Sequence, residues 1–166
     1  MTQSRADRPV MMDGYGIPES TEGLLPWSWA EERLVEAPVY WVSSTRSDGR
    51  PHAMPTWGTW LDDSFWFEGG AETQRMKNLA RNPAAVVHVE RGDDVVIVEG
   101  EAERVFELAP ELAARLKDGF AKYIETHGYE ADPKIWENGG IWRVRPRKVL
   151  AWSAFPTDAT RWWFDR

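Results

Sequence analysis

A chain of 166 residues is the length of one domain, and its 42% of hydrophobic and 28% of charged residues exclude a wholly disordered protein. The absence of an apolar run of about 18 residues predicts no membrane span, and the net charge of −7 repels nucleic acid, so we expect neither partner. Because the chain has no cysteine and no secretion-signal pattern at its start, we expect no disulfide, no thiolate metal site and a cytoplasmic location.

The sequence begins with a polar segment that contains several glycines. No hydrophobic period occurs before Leu24, so we expect residues 1–25 to form an N-terminal strap or flexible tail, followed by a single domain at residues 26–166. Ser28 and Glu31 have the spacing of a capping box, which predicts a helix at residues 28–36. β-branched and aromatic side chains then predict a first strand at residues 39–45.

The next segment predicts a meander of three antiparallel strands. A turn at residues 47–49 leads into a second strand predicted at residues 51–60, and another reversal precedes a third strand at residues 65–67. Two glycines interrupt the strand pattern after this point. The helical spacing of hydrophobic residues then predicts a short helix that ends before Pro83.

Strands also dominate the second half of the chain. Further strands are predicted at residues 84–90 and 95–105. Residues 141–144 and 149–152 predict one or two more, and residues 161–164 a last short one. Gly100 predicts a bend or bulge, and Pro110 begins an amphipathic helix that we expect to end near Gly128. The pattern predicts a mainly β (α+β) fold, an antiparallel barrel of about six to seven strands with three or four helices.

The helix after the third predicted strand is a candidate anion site. Thr73, Arg75 and Lys77 lie in its first turns, where unpaired backbone N–H groups and charge-assisted hydrogen bonds favour a phosphate. The alternative is an exposed helix whose basic residues pair with nearby acids.

An earlier strand segment is a candidate wall for a planar heterocycle. Between His52 and Trp57, Pro55 lacks an N–H donor, so the ladder of hydrogen bonds is incomplete and main-chain groups are available to a ring. The alternative is an edge strand interrupted by Pro55, with Trp57 and Trp60 filling the core.

The sequence contains no recognisable nucleophile, acid–base set or metal site. His52, His88 and His127 lack ligand spacing, and no serine lies in a glycine-flanked elbow, so the catalytic residues are unassigned and no metal is expected. The basic run from Arg143 to Lys148 is interpreted either as an exposed strand face or as a contact for an anionic ligand tail.

Three segments carry a resemblance to a known family. They are Asp48-Gly49-Arg50-Pro51-His52, Arg75-Met76-Lys77-Asn78-Leu79-Ala80-Arg81-Asn82-Pro83 and the strand at residues 95–99. In this order the chain resembles the pyridoxamine 5′-phosphate oxidase-like FMN-binding split-barrel family, and within it the actinobacterial branch of deazaflavin (F420)-dependent oxidoreductases. Residues 24–29 and 155–162 are also similar to that branch.

The resemblance implies a fold and a site. Family members are homodimers of antiparallel split β-barrels that bind a flavin or deazaflavin between the subunits. The match places the cofactor phosphate at Thr73 and Arg75, with Lys77 and Asn78 beside them. Arg75 departs from the lysine that is common in relatives, and a guanidinium still holds a phosphate. The positions that match the strand lining the ring are His52, Met54, Pro55, Thr56 and Trp57.

The resemblance therefore implies hydride transfer between F420, or FMN as the alternative, and a small planar or conjugated substrate. Since the cofactor carries this chemistry, an acid–base set is not required. The substrate-phosphate signature of enzymes that oxidise pyridoxamine phosphate is missing, so that activity is not expected. The second hypothesis is a non-catalytic protein that binds or sequesters a flavin, F420 or haem, and the third is a carbohydrate-binding barrel with stacking tryptophans.

Overall fold

The computed structural model describes residues 3–89 and 91–165. The strands in these ranges are β1 (Gln3–Asp7), β2 (Tyr40–Thr45), β3 (Pro51–Thr56), β4 (Thr59–Leu61), β5 (Ser64–Phe67), β6 (Ala84–Val89), β7 (Val95–Val105), β8 (Ile141–Trp152) and β9 (Thr160–Phe164). The helices are α1 (Trp27–Glu36), α2 (Gln74–Arg81), α3 (Pro110–Phe120), α4 (Lys122–His127) and α5 (Pro133–Gly139). The mainly β prediction is confirmed, whereas the predicted numbers of strands and helices are too low.

The strands form one antiparallel sheet. Its main path of neighbours runs β1-β9-β8-β7-β6-β2-β3, and β4 joins this path through β5, which pairs with the first part of β8. The second part of β8 pairs with β9. β8 therefore passes from one partner to the other and bends the sheet around the core, with β3 at one end of the path.

A bulge at Gly100 bends the longest strand pair, as the sequence predicts. The register shifts there, so that Glu99 faces Lys148 and Gly100 faces Pro146. A Cβ atom on Gly100 would lie 2.2 Å from the carbonyl oxygen of Arg145, so a larger residue requires a backbone shift. Because Pro146 lies opposite the bulge, its missing N–H donor is tolerated and β8 continues as one strand.

The strand predicted at residues 51–60 is divided into β3 and β4. The hydroxyl of Tyr123 donates to the carbonyl of Gly58 at 3.0 Å and accepts from its N–H at 3.1 Å. Since both backbone groups of Gly58 are bound to one side chain, they cannot continue a strand ladder. β3 pairs with β2 and β4 pairs with β5, so the predicted three-stranded meander is wrong.

The helix predicted at residues 28–36 is confirmed as α1, but its predicted capping box is wrong. The helix begins at Trp27 with Pro26 as its N-cap residue, and no side-chain cap forms, so Ser28 lies inside the helix and makes no capping box. The long helix predicted from Pro110 is two helices, because the N–H of Ala121 turns back to the carbonyl of Asp118 and ends α3. α5 has no counterpart among the predicted elements.

The N-terminal segment is tied to the C-terminal strand. β1, which the sequence pattern does not predict, pairs with β9. Arg8 donates to the main-chain oxygens of Ser20, Thr157 and Ala159 at 3.0, 2.9 and 3.1 Å. The division into a strap at residues 1–25 and a domain at residues 26–166 stays a prediction. The strand predicted at residues 84–90 corresponds to β6, which ends at Val89. Glu90 lies outside the described residues.

Two hydrophobic clusters fill the molecule. The larger one lies between the sheet and helices α1 and α2, where Ala30 and Leu34 are fully buried. The smaller one joins β5 to α3, α4 and α5 through Trp66, Phe120 and Trp136. Among the described residues, no helix is both long and apolar enough to cross a membrane.

Candidate cofactor-binding site

A cavity of about 830 Å³ opens where β3 and β5 end and α5 covers the sheet. Its lining residues are Val39, Pro55, Thr56, Trp57, Glu68, Gly69, Gly70, Ala71, Arg104, Phe120, Tyr129, Ile135, Trp136, Gly139 and Gly140. A Cβ atom on Gly69 would lie 1.9 Å from Cε of Met76, so the loop after β5 passes closely over α2. Aromatic walls with a few polar groups are typical of small-molecule sites.

Arg75 lies beside this cavity in the first turn of α2. Its Nη2 donates to Oγ1 of Thr56 at 3.1 Å and reaches the carbonyl of Glu68 at 3.5 Å, while its buried Nε has no hydrogen-bond partner. Burial lowers the pKa of this guanidinium, which nevertheless stays charged at neutral pH. In the described part of the chain Arg75 makes no ion pair, so it is a partly buried cation with capacity for an anion.

His52 adds a second orphaned donor or acceptor near Arg75. Its buried Nδ1 has no hydrogen-bond partner. Burial lowers the pKa of His52, and the charges of Arg46 and Arg75 lower it further. His52 and Thr56 are four residues apart on β3 and share one face of the strand, the face that Arg75 contacts. A phosphate fits the chemistry of Arg75, because a charge-assisted bond to its unpartnered Nε would satisfy that buried donor.

The other predicted phosphate residues have local partners. Thr73 is the N-cap residue of α2, and its hydroxyl donates to the carbonyl of Gly70 at 2.9 Å. Lys77 is exposed and pairs with Glu72 at 3.1 Å. Asn78 is 2% exposed and its amide donates to Oγ of Ser44 at 3.0 Å, so it ties α2 to β2. The structure brings Arg75 together with Thr56, and places Lys77 and Asn78 away from that contact.

The predicted ring wall is partly at the cavity. Pro55, Thr56 and Trp57 line it, whereas Met54 is 47% exposed on β3. The Trp57 ring stacks on Tyr123, with centroids 5.3 Å apart and an interplanar angle of 21°. Trp60 is 4% exposed within the larger core cluster. The two alternatives therefore apply to different residues, because Trp60 fills the core and Trp57 forms a wall.

Glu68 is a polar cavity residue that the sequence interpretation missed. One oxygen of its carboxylate accepts a hydrogen bond from the hydroxyl of Tyr129 and the other accepts from Nε1 of Trp136. Burial and the Glu68 carboxylate raise the pKa of Tyr129. These partners lie 61 and 68 residues away along the chain, so no local spacing signals the contact.

The basic run on β8 lies on an exposed strand face, in agreement with the first interpretation. Arg143 and Arg145 both contact Glu103, at 2.6 and 2.7 Å. The same pattern continues along β7 and β8 with the pairs Arg147–Glu101 at 3.0 Å and Lys148–Glu99 at 2.7 Å. These cations are neutralised across the strand pair. A second cavity, of about 470 Å³, lies beside this charged face and contains no comparable aromatic wall.

The remaining histidines give no sign of metal binding. His88 stacks on Trp41 with an interplanar angle of 5°, and its Nδ1 lies 3.0 Å from the carbonyl of Val89. His127 contacts the ring of Trp57 at 4.6 Å. Across residues 3–89 and 91–165 no group of three or more histidine, aspartate or glutamate side chains could hold a metal ion.

The chain matches a known family and solved structures. A family model described as pyridoxamine 5′-phosphate oxidase matches residues 29–153. A search among curated proteins gives no match. Among solved structures, the conserved hypothetical protein Rv2991 from Mycobacterium tuberculosis is 23% identical, with a TM-score of 0.63 over 81% of this chain and 89% of its own.

Two further structures carry functional names. One named F420 reductase is 24% identical, with a TM-score of 0.52 over 71% of this chain and 94% of its own. A heme binding protein from Mycobacterium smegmatis is 19% identical, with a TM-score of 0.59 over 82% of this chain and 58% of its own. At these identities the structures show the fold alone. Because the family model spans most of the sequence, the chain belongs to the pyridoxamine 5′-phosphate oxidase family.

Proposed function

We propose that the protein is a flavin- or deazaflavin-dependent oxidoreductase that transfers a hydride between F420, or FMN as the alternative, and a small planar or conjugated substrate. The observation that carries the proposal is the partly buried Arg75 beside the aromatic cavity, with its Nε unpartnered. A planar redox cofactor with a phosphate has both features that this arrangement requires, a flat ring and an anion.

In this proposal the residues of the chain bind and orient the cofactor. Arg75 and His52 hold its phosphate, and Thr73 lies beside them at the N-terminus of α2, whereas Lys77 stays paired with Glu72. The ring rests against the end of β3 at Pro55, Thr56 and Trp57. The bound cofactor supplies the hydride chemistry, while the aromatic walls exclude water and fix the ring plane.

The choice between F420 and FMN rests on the cofactor tail. F420 carries a longer anionic tail, which requires additional cations. The cations between Arg143 and Lys148 form ion pairs with Glu99, Glu101 and Glu103, so they are poorly placed to bind that tail. Arg81 at the end of α2 is exposed and donates only to the carbonyl of Thr45 among the described hydrogen bonds. F420 stays our first candidate, with Arg81, at the other end of α2 from Arg75, as the cation proposed for its tail.

We propose a homodimer in which the outer face of the sheet meets its copy. Trp41, His88 and Ile97 form one row across β2, β6 and β7, and Leu150 of β8 continues it. These four side chains are partly exposed. Pro55 faces Trp41 at the end of the same row, so a second copy on this face would approach the proposed ring wall.

A binding protein without turnover is the second candidate. The named heme binding protein shares the fold, and no acid–base set is found near the cavity in the described ranges beyond Glu68 and Tyr129. The carbohydrate hypothesis has less support, because Trp66 and Trp136 are each 1% exposed and Trp162 is fully buried. Buried indoles cannot stack on sugars.

The test is an equilibrium titration of the purified protein, stripped of any bound cofactor, with F420 and with FMN. We expect Arg75→Ala to weaken binding of the preferred cofactor at least about tenfold, the loss of one charge-assisted hydrogen bond. Arg81→Ala removes the same charge from the same helix and is the matched control for FMN. An unchanged dissociation constant for Arg75→Ala would remove Arg75 from the site. Reduction of electron acceptors by the reduced cofactor then separates an enzyme from a carrier.

A further inference from the structure

A carboxylate in the cavity wall has partners that leave part of its hydrogen-bonding capacity unused. Glu68 accepts from two neutral donors, the hydroxyl of Tyr129 and the indole N–H of Trp136. An ionised carboxylate has about four acceptor positions, so two are left. Within residues 3–89 and 91–165, Glu68 takes part in no ion pair. Arg104, a cation of the cavity lining, is bound through Nε to the carbonyl of Gly139 at 2.7 Å, and Arg75 reaches only the main-chain carbonyl of Glu68, at 3.5 Å.

The wall that holds Glu68 adjoins the proposed ring wall, because the rings of Tyr129 and Trp57 are in contact with their centroids 5.4 Å apart. Pro55, Thr56 and Trp57 belong to the end of β3 and the turn after it, whereas Tyr129 and Trp136 belong to α5 and the loop before it. A cofactor ring on the first wall leaves the second wall to another ligand. The cavity volume of about 830 Å³ is near the upper end for ligand sites, which allows two flat molecules.

We propose that the wall formed by Glu68, Tyr129 and Trp136 is the substrate subsite, and that it selects flat conjugated molecules whose edge presents an N–H donor to Glu68. This inference rests on the proposed function. A charge-assisted hydrogen bond favours such a donor, while a ring oxygen at the same edge would face the carboxylate lone pairs and be rejected. The ring of Tyr129, beside that of Trp57, supplies aromatic surface for such a molecule, while the buried Trp136 holds the carboxylate of Glu68 in place.

Acridone and xanthone form a matched pair of probes for this subsite. The two tricyclic ketones have nearly the same shape, and xanthone has a ring oxygen where acridone has N–H. We expect the wild-type protein to bind acridone at least about tenfold more tightly than xanthone in equilibrium dialysis. Equal affinities, or a preference for xanthone, would overturn the proposal. This ratio is measured on the wild-type protein, so the test does not depend on the folding of a variant.

The variant Glu68→Gln identifies the acceptor. It keeps one oxygen for the buried indole and removes the charge, so we expect acridone affinity to fall severalfold and xanthone affinity to change little. Glu36→Gln removes the same charge from the exposed end of α1 and is expected to change neither affinity. A Glu68→Gln protein that is folded, as judged by its melting temperature, and keeps the full acridone preference would contradict the assignment.

A third measurement separates this subsite from the cofactor site. Acridone is titrated into the protein loaded with F420 or FMN, whichever binds. Simultaneous binding of acridone supports the proposal, whereas displacement of the cofactor assigns Glu68 to the cofactor site and overturns it. If neither cofactor binds, the proposed redox function fails, and the acridone to xanthone ratio still decides the fate of the subsite.

Discussion

Tyr123 binds both backbone groups of Gly58, donating to its carbonyl at 3.0 Å and accepting from its N–H at 3.1 Å. The same phenol ring stacks under Trp57. One side chain of α4 therefore ends β3 and fixes a wall of the cavity. Burial raises the pKa of Tyr123, so the hydroxyl stays protonated at neutral pH and keeps both bonds.

We expect Tyr123→Phe to destabilise the protein by about 1 to 3 kcal/mol for each buried backbone group left without a partner. The substitution keeps the ring and its packing, so the loss of stability measures the contribution of the hydroxyl. Urea unfolding, monitored by tryptophan fluorescence, measures the change in the free energy of unfolding. Tyr15→Phe, at a tyrosine that is 51% exposed, is the control and should change stability by less than about 0.5 kcal/mol. Equal effects of the two substitutions would mean that the Gly58 contact contributes nothing.

The bulge at Gly100 gives a second prediction. A Cβ atom there would lie 2.2 Å from the carbonyl oxygen of Arg145, so Gly100→Ala forces β7 and β8 apart. We expect a loss of about 1 to 3 kcal/mol, the usual cost of an overpacked site. Gly92→Ala is the control, because no atom lies within 4 Å of its Cβ position. A thermal unfolding midpoint for Gly100→Ala as high as that of Gly92→Ala would show that the strands adjust without cost.

The sequence predicts those parts of the fold that depend on local patterns. The alternation in β2 and β7 follows from residue periodicity, and the bulge is marked by Gly100, whose missing Cβ lets the backbone of Arg145 approach. Both signals are visible in a short window. The break between β3 and β4 depends on Tyr123, which is 65 residues away. A strand pattern that is continuous in sequence cannot show such a contact.

The candidate site likewise contains residues that the sequence predicts and residues that it does not. Arg75 and Trp57 are marked by a helix start and by a proline-interrupted strand, and both lie at the cavity. Glu68 has no marker, because its partners lie on α5 and in the loop before it, a region without a strong helical period. Lys77 and Asn78 have the right spacing in sequence, but helix geometry directs them to Glu72 and Ser44.

A partly buried ion pair gives a prediction for acid stability. Asp7 accepts from Nε of Arg161 at 2.7 Å and joins β1 to β9, and the bond to Arg161 together with Arg5 lowers the pKa of Asp7 to about 2. The folded state therefore holds Asp7 ionised below the ordinary carboxyl pKa of 3.8, so its stabilising contribution is complete above that pH and is lost as the pH falls toward 2.

We expect Asp7→Asn to remove this dependence. The unfolding free energy of the variant, from urea titrations at several pH values between those limits, should fall less steeply with acid than that of the wild type, with a difference on the order of 1 kcal/mol at neutral pH. Asp13→Asn, at an exposed position of the N-terminal segment, is the control. Parallel pH profiles for Asp7→Asn and wild type would show that the pair with Arg161 is not linked to folding.

His52 gives a direct reading of anion binding, because its pKa is lowered first by burial and then by the charges of Arg46 and Arg75. An anion bound at Arg75 opposes those charges, so we expect inorganic phosphate to raise the pKa of His52 and, by linkage, to bind more tightly as the pH falls through the ordinary histidine value of 6.5. Proton NMR of the imidazole resonances, with and without phosphate, measures this shift. Arg75→Ala should raise the pKa of His52 without phosphate and abolish the further rise. A His52 resonance that titrates identically in the presence and absence of phosphate would place the anion elsewhere on the molecule.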